Sequence, residues 1–397
     1  MHAFSLLQRW LERNTCFMHQ VRRQSLLAAV EGLLCGGTLT LTHVGRSLRG
    51  PAYTKHKIKR VDRLLGNAHL QEECRAVYGA LAQWLLSGVA RPVIVVDWSD
   101  CEPGHEWLML SASLAVGGRA LPLYQEVHRL SAYNSPGTHR RFLRALAGVV
   151  PRQCRPIVLT DAGFRGPWFR AVEQLGWDWI GRIRNRIKVQ VEGTARWRYT
   201  TALYREATRR LRYLGWCALS HKRPYGAHLY LVRRSRRGRG RPLKCHGRGP
   251  NARRCRKLYR DPWLLASSLP HSEHAGRRVM ALYSKRMQIE ETFRDLKDER
   301  WGFGLAQARS SQHGRRAVLL LIGALALLAL WLTGLAAAAR GWMRRYQANT
   351  ERRHAVLSLI FLGREVLRDA AQSLGPPALH TALRQLRTVL KAQAALA

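Results

Sequence analysis

Residues 92–98 read PVIVVDW, an unbroken run of mostly β-branched side chains that ends in an acid and an aromatic residue. Apolar residues at consecutive rather than alternate positions predict a strand covered on both faces, as inside an α/β sheet. Such a strand would deliver Asp97 to a sheet edge, with Asp100 as a rival three residues on. Downstream, LMLSASLAVGGRALPLYQEV (108–127) reads as two strands around Gly117-Gly118, a hairpin signal. HRRFLRALAGVV (139–150) reads as a helix. RPIVLTDAGF (155–164) then repeats the opening pattern: an apolar run, an acid at Asp161, and a glycine turn. A short helix and strand follow in AVEQLGWDWIGRI (171–183). The pattern predicts a mixed α/β domain.

A third acid stands further along, in YSKRMQIEETFRDLK (283–297). Read as one helix advancing about 100° per residue, the stretch places Tyr283 and Lys297 about 20° from the line of Glu290, and Arg286 about 40° from it. Glu291 points about 100° away. One face would thus carry an acid with phosphate-binding donors around it. Two strand-end Asp residues plus a helical Glu are hard oxygen ligands suited to Mg²⁺. Two ions held there could activate an attacking oxygen and stabilise a leaving one. Taken singly, each Asp also reads as a cap or turn residue, and the helix face as solvated ion pairs.

The charge balance says what such a site would act on. Lys and Arg number 67 against 25 acids in 397 residues, a formal net charge of +42. Self-repulsion on that scale calls for a polyanion, with nucleic acid ahead of an anionic membrane. The eight cysteines have no pairing pattern and no CxxC pair, and there is no secretory signal peptide, so reduced thiols in a cytosolic protein are expected. Cys245, His246 and Cys255 lack a fourth ligand and the usual zinc spacing.

With these residues in place, a resemblance can be stated. Asp97 in DWSD, Asp161 in TDAGF, and Tyr283-x2-Arg286-x3-Glu290-x6-Lys297 resemble the DDE triad and the Tyr-Arg-Glu-Lys signature of insertion-sequence-four family transposases. The likeness is to the transposon-ten branch and runs from the N-terminal helices to about Leu367. It implies an RNase H-like core, interrupted by a β-rich insertion and flanked by helical ends. It implies Asp97, Asp161 and Glu290 as catalytic ligands for two Mg²⁺ ions, with Mn²⁺ as a substitute. Tyr283, Arg286 and Lys297 would position terminal phosphates of double-stranded DNA, and a homodimer would act on paired ends. Trp263 matches a Trp that stacks on a flipped base, although a Trp in an apolar strand also reads as core. Met287 departs from relatives that carry a second Trp there.

The remaining segments fit around that frame, with expected divisions at 1–87, 88–185, 186–270, 271–345 and 346–397. Near the N-terminus, residues 38–67 read as two short helices around Arg49-Gly50-Pro51-Ala52. The second would offer Lys57, Lys59, Arg60 and Arg63 to a terminal repeat, as a helix-turn-helix does, or merely give a bundle a basic surface. Between the second Asp and the Glu, VQVEGTARWRYTTALYRE (189–206), WCALSHK, HLYLVRRS and DPWLLASSL read as short strands. Among them, residues 233–260 are dominated by Arg, Gly and Lys, with few apolar residues; Arg239-Gly240-Arg241-Pro242 resembles an AT-hook for the minor groove, with plain phosphate clamping as the alternative. AVLLLIGALALLALWLTGLAAAA (317–339) is long and apolar enough to span a membrane. It follows the Glu290 helix almost directly, and the family resemblance implies a buried core helix there, so no membrane role is expected. The competing readings are a catalytically dead DNA-binding remnant, an RNase H-like nuclease without strand transfer, and a basic membrane protein.

Overall fold

β1 (Val93–Asp100) forms on the β-branched run, and β2 (Trp107–Ala115) pairs with it antiparallel along its whole length, to Asp100 opposite Leu108. Asp97 therefore sits in mid-strand opposite Ser111, not at the strand's end. The ladder bonds backbone to backbone and is indifferent to the polar side chains of DWSD. β3 (Ala120–Arg129) completes a meander in the order β3-β2-β1, turning through Gly117 and Gly118 at φ +99° and +73°.

The computed structural model describes residues 2–184, 186–234, 261–369 and 371–395. It divides into two compact units, Met1–Pro156 with Lys285–Ala395, and Ile157–Ser284. In the first unit, five helices precede the meander: α1 (His2–Asn14), α2 (Gln20–Gly36), α3 (Leu41–Arg46), α4 (Thr54–Leu65) and α5 (Ala68–Leu85). α3 and α4 flank the Gly-Pro break as expected. They approach so closely that a Cβ on Gly45 would lie 2.6 Å from the Ile58 Cα. α6 (Pro136–Val149) follows the meander, with Pro136 in its first turn, where a missing N–H costs nothing.

The second unit starts with β4 (Ile157–Thr160), α7 (Gly166–Gln174) and β5 (Asp178–Arg182), a parallel βαβ crossover. Next come β6 (Lys188–Val191), β7 (Arg198–Tyr199), α8 (Thr200–Leu203), β8 (Arg212–Leu219), β9 (Tyr225–Val232), β10 (Trp263–Ser267) and α9 (Ala275–Ser284). The strand order is β4-β5-β10-β9-β8-β6-β7, antiparallel beyond the first pair. Residues 200–206 are helical turns rather than the expected strand. Thr200 is buried there, and the Tyr204 hydroxyl donates to the Ile183 carbonyl at 3.2 Å.

The chain then returns to the first unit with α10 (Met287–Lys297), α11 (His313–Ala339), α12 (Met343–Tyr346), α13 (Leu359–Arg368) and α14 (Pro376–Ala395). α11 is the apolar run. It is hydrophobic all round because it is enclosed all round: 94% of its most apolar window is buried, against α1, α2, α4, α5, α13, α14 and β3. The architecture is mixed α/β, in keeping with an RNase H-like fold.

Candidate active site

Side chains on β1 alternate, so Asp97 and Ser99 share one face while Trp98 and Asp100 take the other. α10 packs against β1 and holds both residues of the first face. The Arg286 Nη1 donates to Asp97 Oδ2 at 2.9 Å, and its Nη2 to Glu290 Oε1 at 2.6 Å. The Lys297 Nζ donates to Ser99 Oγ at 2.8 Å. Asp97 Oδ1 accepts from the Trp98 N–H at 2.9 Å. One guanidinium thus bridges two carboxylates, and the trio carries one negative charge in excess. The Asp97 side chain is 13% exposed and that of Glu290 43%, so one acid is largely buried while the other reaches solvent. Burial pushes the Lys297 ammonium below its usual range, against the opposing pull of Asp100. Asp100 itself pairs with His105 at 2.8 Å.

The geometry corrects one expectation. Residues 283–297 are not one helix: α9 stops at Ser284 and α10 begins at Met287. Gln288 N–H bonds the Lys285 carbonyl and Ile289 N–H that of Arg286, tight three-residue bonds that interrupt the four-residue ladder. The Ser284 hydroxyl donates to the Ala281 carbonyl as well. The face assigned to Tyr283 rested on one unbroken helix, and the break removes that argument. Arg286 keeps helical angles (φ −52°, ψ −37°), which preserves its four-residue reach to Glu290.

Four side chains that the spacing did not single out hold α10 in place. Gln288 Oε1 accepts from the Gly117 N–H at 3.1 Å, and Thr292 Oγ1 lies 2.9 Å from both the N–H and the carbonyl of Ala120. Arg119 binds Asp295 through Nε at 2.5 Å. Positions 288, 292 and 295 form one stripe (i, i+4, i+7) on the opposite edge of the buried stripe from Glu290 and Lys297. That spacing was a signal available in the sequence. Thr292→Val should lower unfolding free energy by about 2 kcal/mol, because it leaves buried backbone groups of Ala120 short of a partner. Urea denaturation measures this, and an unchanged midpoint would remove the latch.

Behind β1, on its other face, the Trp98 Nε1 donates to His139 Nε2 at 3.0 Å, with His128 edge-on to the indole. Burial first, then the charge of His128, pushes the His139 imidazole from 6.5 down to about 4. The folded state therefore binds fewer protons than the unfolded chain below pH 6.5. His139 contributes fully above that pH, and its contribution is lost as pH falls from about 6.5 to about 4, by ~3 kcal/mol in all. The slope of stability against pH over that window should flatten in His139→Gln. Equal slopes in variant and wild type would refute it.

The other predicted residues stand on other elements. Asp161 follows β4 directly in the second unit, and its Oδ1 accepts from the Gly163 N–H at 2.8 Å, closing the expected glycine turn. Tyr283, also in that unit, is buried edge-on against Trp263 with ring centroids 5.0 Å apart. Trp263 opens β10, half-buried, with the Arg234 guanidinium 4.5 Å over its ring. On α4, Lys59, Arg60 and Arg63 are exposed and Lys57 half-buried, opposite the packed face of Val61, Leu64 and Leu65. Lys59 pairs with Asp62 at 2.8 Å. Arg239, Arg241, Cys245, His246 and Cys255 lie outside the described residues.

Among the described residues no group of three or more His, Cys, Asp or Glu side chains is gathered for a metal ion. Asp97 and Glu290 nonetheless suit a hard cation, since Mg²⁺ keeps several waters and is held through one or two carboxylates. Their oxygens already converge on one cationic group, the Arg286 guanidinium.

Comparison with known proteins adds one finding. The model of a family described as transposase DDE domain matches residues 90–327, more than half of the chain and the span that contains Asp97, Asp161 and Glu290. No curated protein matches.

Proposed function

Because the chain belongs to the transposase DDE-domain family, we propose that it is an insertion-sequence transposase of the cut-and-paste type, of the insertion-sequence-four family and its transposon-ten branch. DNA is the partner that this family implies. The reading takes the ends of the element as substrate, terminal inverted repeats bound by α4 through Lys57, Lys59, Arg60 and Arg63. A homodimer on paired ends and a cytoplasmic, nucleoid-associated location belong to the same reading.

Asp97, Asp161 and Glu290 would hold two divalent ions, Mg²⁺ or Mn²⁺. When bound, such ions supply activation of an attacking oxygen and stabilisation of the leaving one. The protein's own residues do the positioning. Arg286 presents two parallel donors, the fork that matches a phosphate bidentately. Lys297, anchored by Ser99, adds a point charge from the last turn of α10. Tyr283 and Trp263 would act on the terminal nucleotide. The stripe of Gln288, Thr292 and Asp295 fixes the depth at which Glu290 stands. Water first nicks the end, the freed 3′-hydroxyl attacks the opposite strand to give a hairpin, the hairpin reopens, and the same hydroxyl joins target DNA.

The observation that carries this reading is the gathering of Asp97, Arg286 and Glu290 on two elements inside a chain matched by the DDE-domain family. The test is a labelled duplex ending in the element's terminal repeat, incubated with Mg²⁺ and resolved on a denaturing gel. Nicks followed by a hairpin-length product support it. Nicks alone point to a nuclease or another transposition route, and shifted but uncut DNA to a binding-only remnant.

A further inference from the structure

We propose that Arg286 is the internal counter-ion of Asp97 and Glu290 in the metal-free protein, and that divalent ions and this guanidinium compete for the same carboxylate oxygens, so that ion loading releases Arg286 to take a DNA phosphate. The inference rests on the reading above that these acids hold metal.

The atoms argue for competition. Asp97 has one oxygen, Oδ1, engaged by the backbone N–H of Trp98, and the other, Oδ2, engaged by Arg286. Glu290 meets the same guanidinium through Oε1. A cation drawing on both acids meets oxygens already occupied by a positive charge. The guanidinium cannot leave by losing its proton, because arginine stays charged throughout the accessible pH range. It has to be displaced. Its side chain is 14% exposed, and Glu290, at 43%, is the more accessible partner, so displacement starts there. Two donors freed in a fork are what a phosphate takes bidentately. Binding of ion and of DNA end are thereby linked, and by reciprocity each tightens the other. The bridge also keeps two acids together that would otherwise repel, which holds the site assembled before loading.

The test reads Mn²⁺ binding to the full-length chain without DNA, from the loss of the free aquo-ion signal in electron paramagnetic resonance. Wild type, Arg286→Gln and Arg294→Gln are compared. Arg294 lies on the same helix and pairs with Glu291, so its variant removes equal charge without touching Asp97 or Glu290. Arg286→Gln should bind Mn²⁺ about tenfold more tightly than wild type, the worth of one charge-assisted hydrogen bond. Arg294→Gln should stay near wild type. Arg286→Lys, which keeps the charge and the helix start but loses the fork, should fall between, and guards against a misfolded glutamine variant. Binding that Asp97→Asn abolishes, yet with equal affinity in wild type, Arg286→Gln and Arg286→Lys, overturns the inference alone. An equal gain in Arg294→Gln also overturns it, as a mere charge effect. Absence of any Asp97-dependent binding in every protein overturns the metal reading and the inference with it.

Discussion

Glu290→Gln protein should shift a terminal-repeat duplex on a native gel nearly as wild type does, yet cleave it slower by about 10³-fold or more. The substitution is isosteric and keeps the first turn of α10, so the change is one of charge at one oxygen. Glu290 is a minor part of the packing: its side chain is 43% exposed and it pairs with Arg286. Stability should move by less than ~1 kcal/mol, the scale of an exposed ion pair. DNA affinity is set by phosphate neutralisation across a chain of net charge +42, and losing one acid can only favour it slightly. Catalysis is different, because the carboxylate is one of the few hard ligands available. Asp97→Asn should match it in rate but cost more stability, since Asp97 is mostly buried between Arg286 and the Trp98 N–H. Nicking by Glu290→Gln at the wild-type rate would remove Glu290 from the active site, whatever the family match says.

How far the sequence could go is set by which forces each residue answers to. The run Val93–Val96 is apolar at every position because both faces of β1 are covered, and that pattern is readable without a structure. Where the strand ends is not, because its last turns are held by backbone pairing to β2 that no side chain announces. The choice between Asp97 and Asp100 likewise needs the two-residue period applied to a known facing helix. Glu290 and its spacing to Arg286 and Lys297 were legible, since all lie on or at the start of one continuous helix. The interruption of the helix before Met287 was not legible, because the break at Lys285–Arg286 is made by tightened backbone bonds and carries neither Gly nor Pro. The latch residues were missed for another reason: Arg119 and Asp295 are 176 positions apart, and only the fold makes them partners. Hydropathy alone would have favoured a membrane span for residues 317–339; the set of helices that encloses them is visible only in the fold.

That helical cluster yields the second large expected effect, on folding instead of catalysis. Gly334→Leu should unfold the protein at temperatures where wild type is stable, losing at least the ~3 kcal/mol at the upper end for overpacked cores. A Cβ at Gly334 of α11 would lie 1.9 Å from the Leu359 carbonyl oxygen of α13, and one at Gly363 would lie 2.0 Å from the Leu330 carbonyl oxygen. Both obstacles are backbone, so no rotamer change can relieve them and the two helices have to move apart. α11 is surrounded on every side, so moving it disturbs more than one contact. Among those neighbours is Leu296 of α10, whose Cδ2 would lie 3.0 Å from a Cβ at Gly323. A shift in α11 should therefore reach the helix that carries Glu290, and Gly334→Ala, the milder change, should lower cleavage as well as thermal stability. Because Gly334 and Gly363 serve one crossing, the double alanine variant should cost less than the sum of the single ones, once the helices have already separated. Thermal unfolding of the three variants checks both statements. Full additivity would mean that the two glycines act at independent contacts, and wild-type stability in Gly334→Leu would mean that α11 and α13 do not cross so closely.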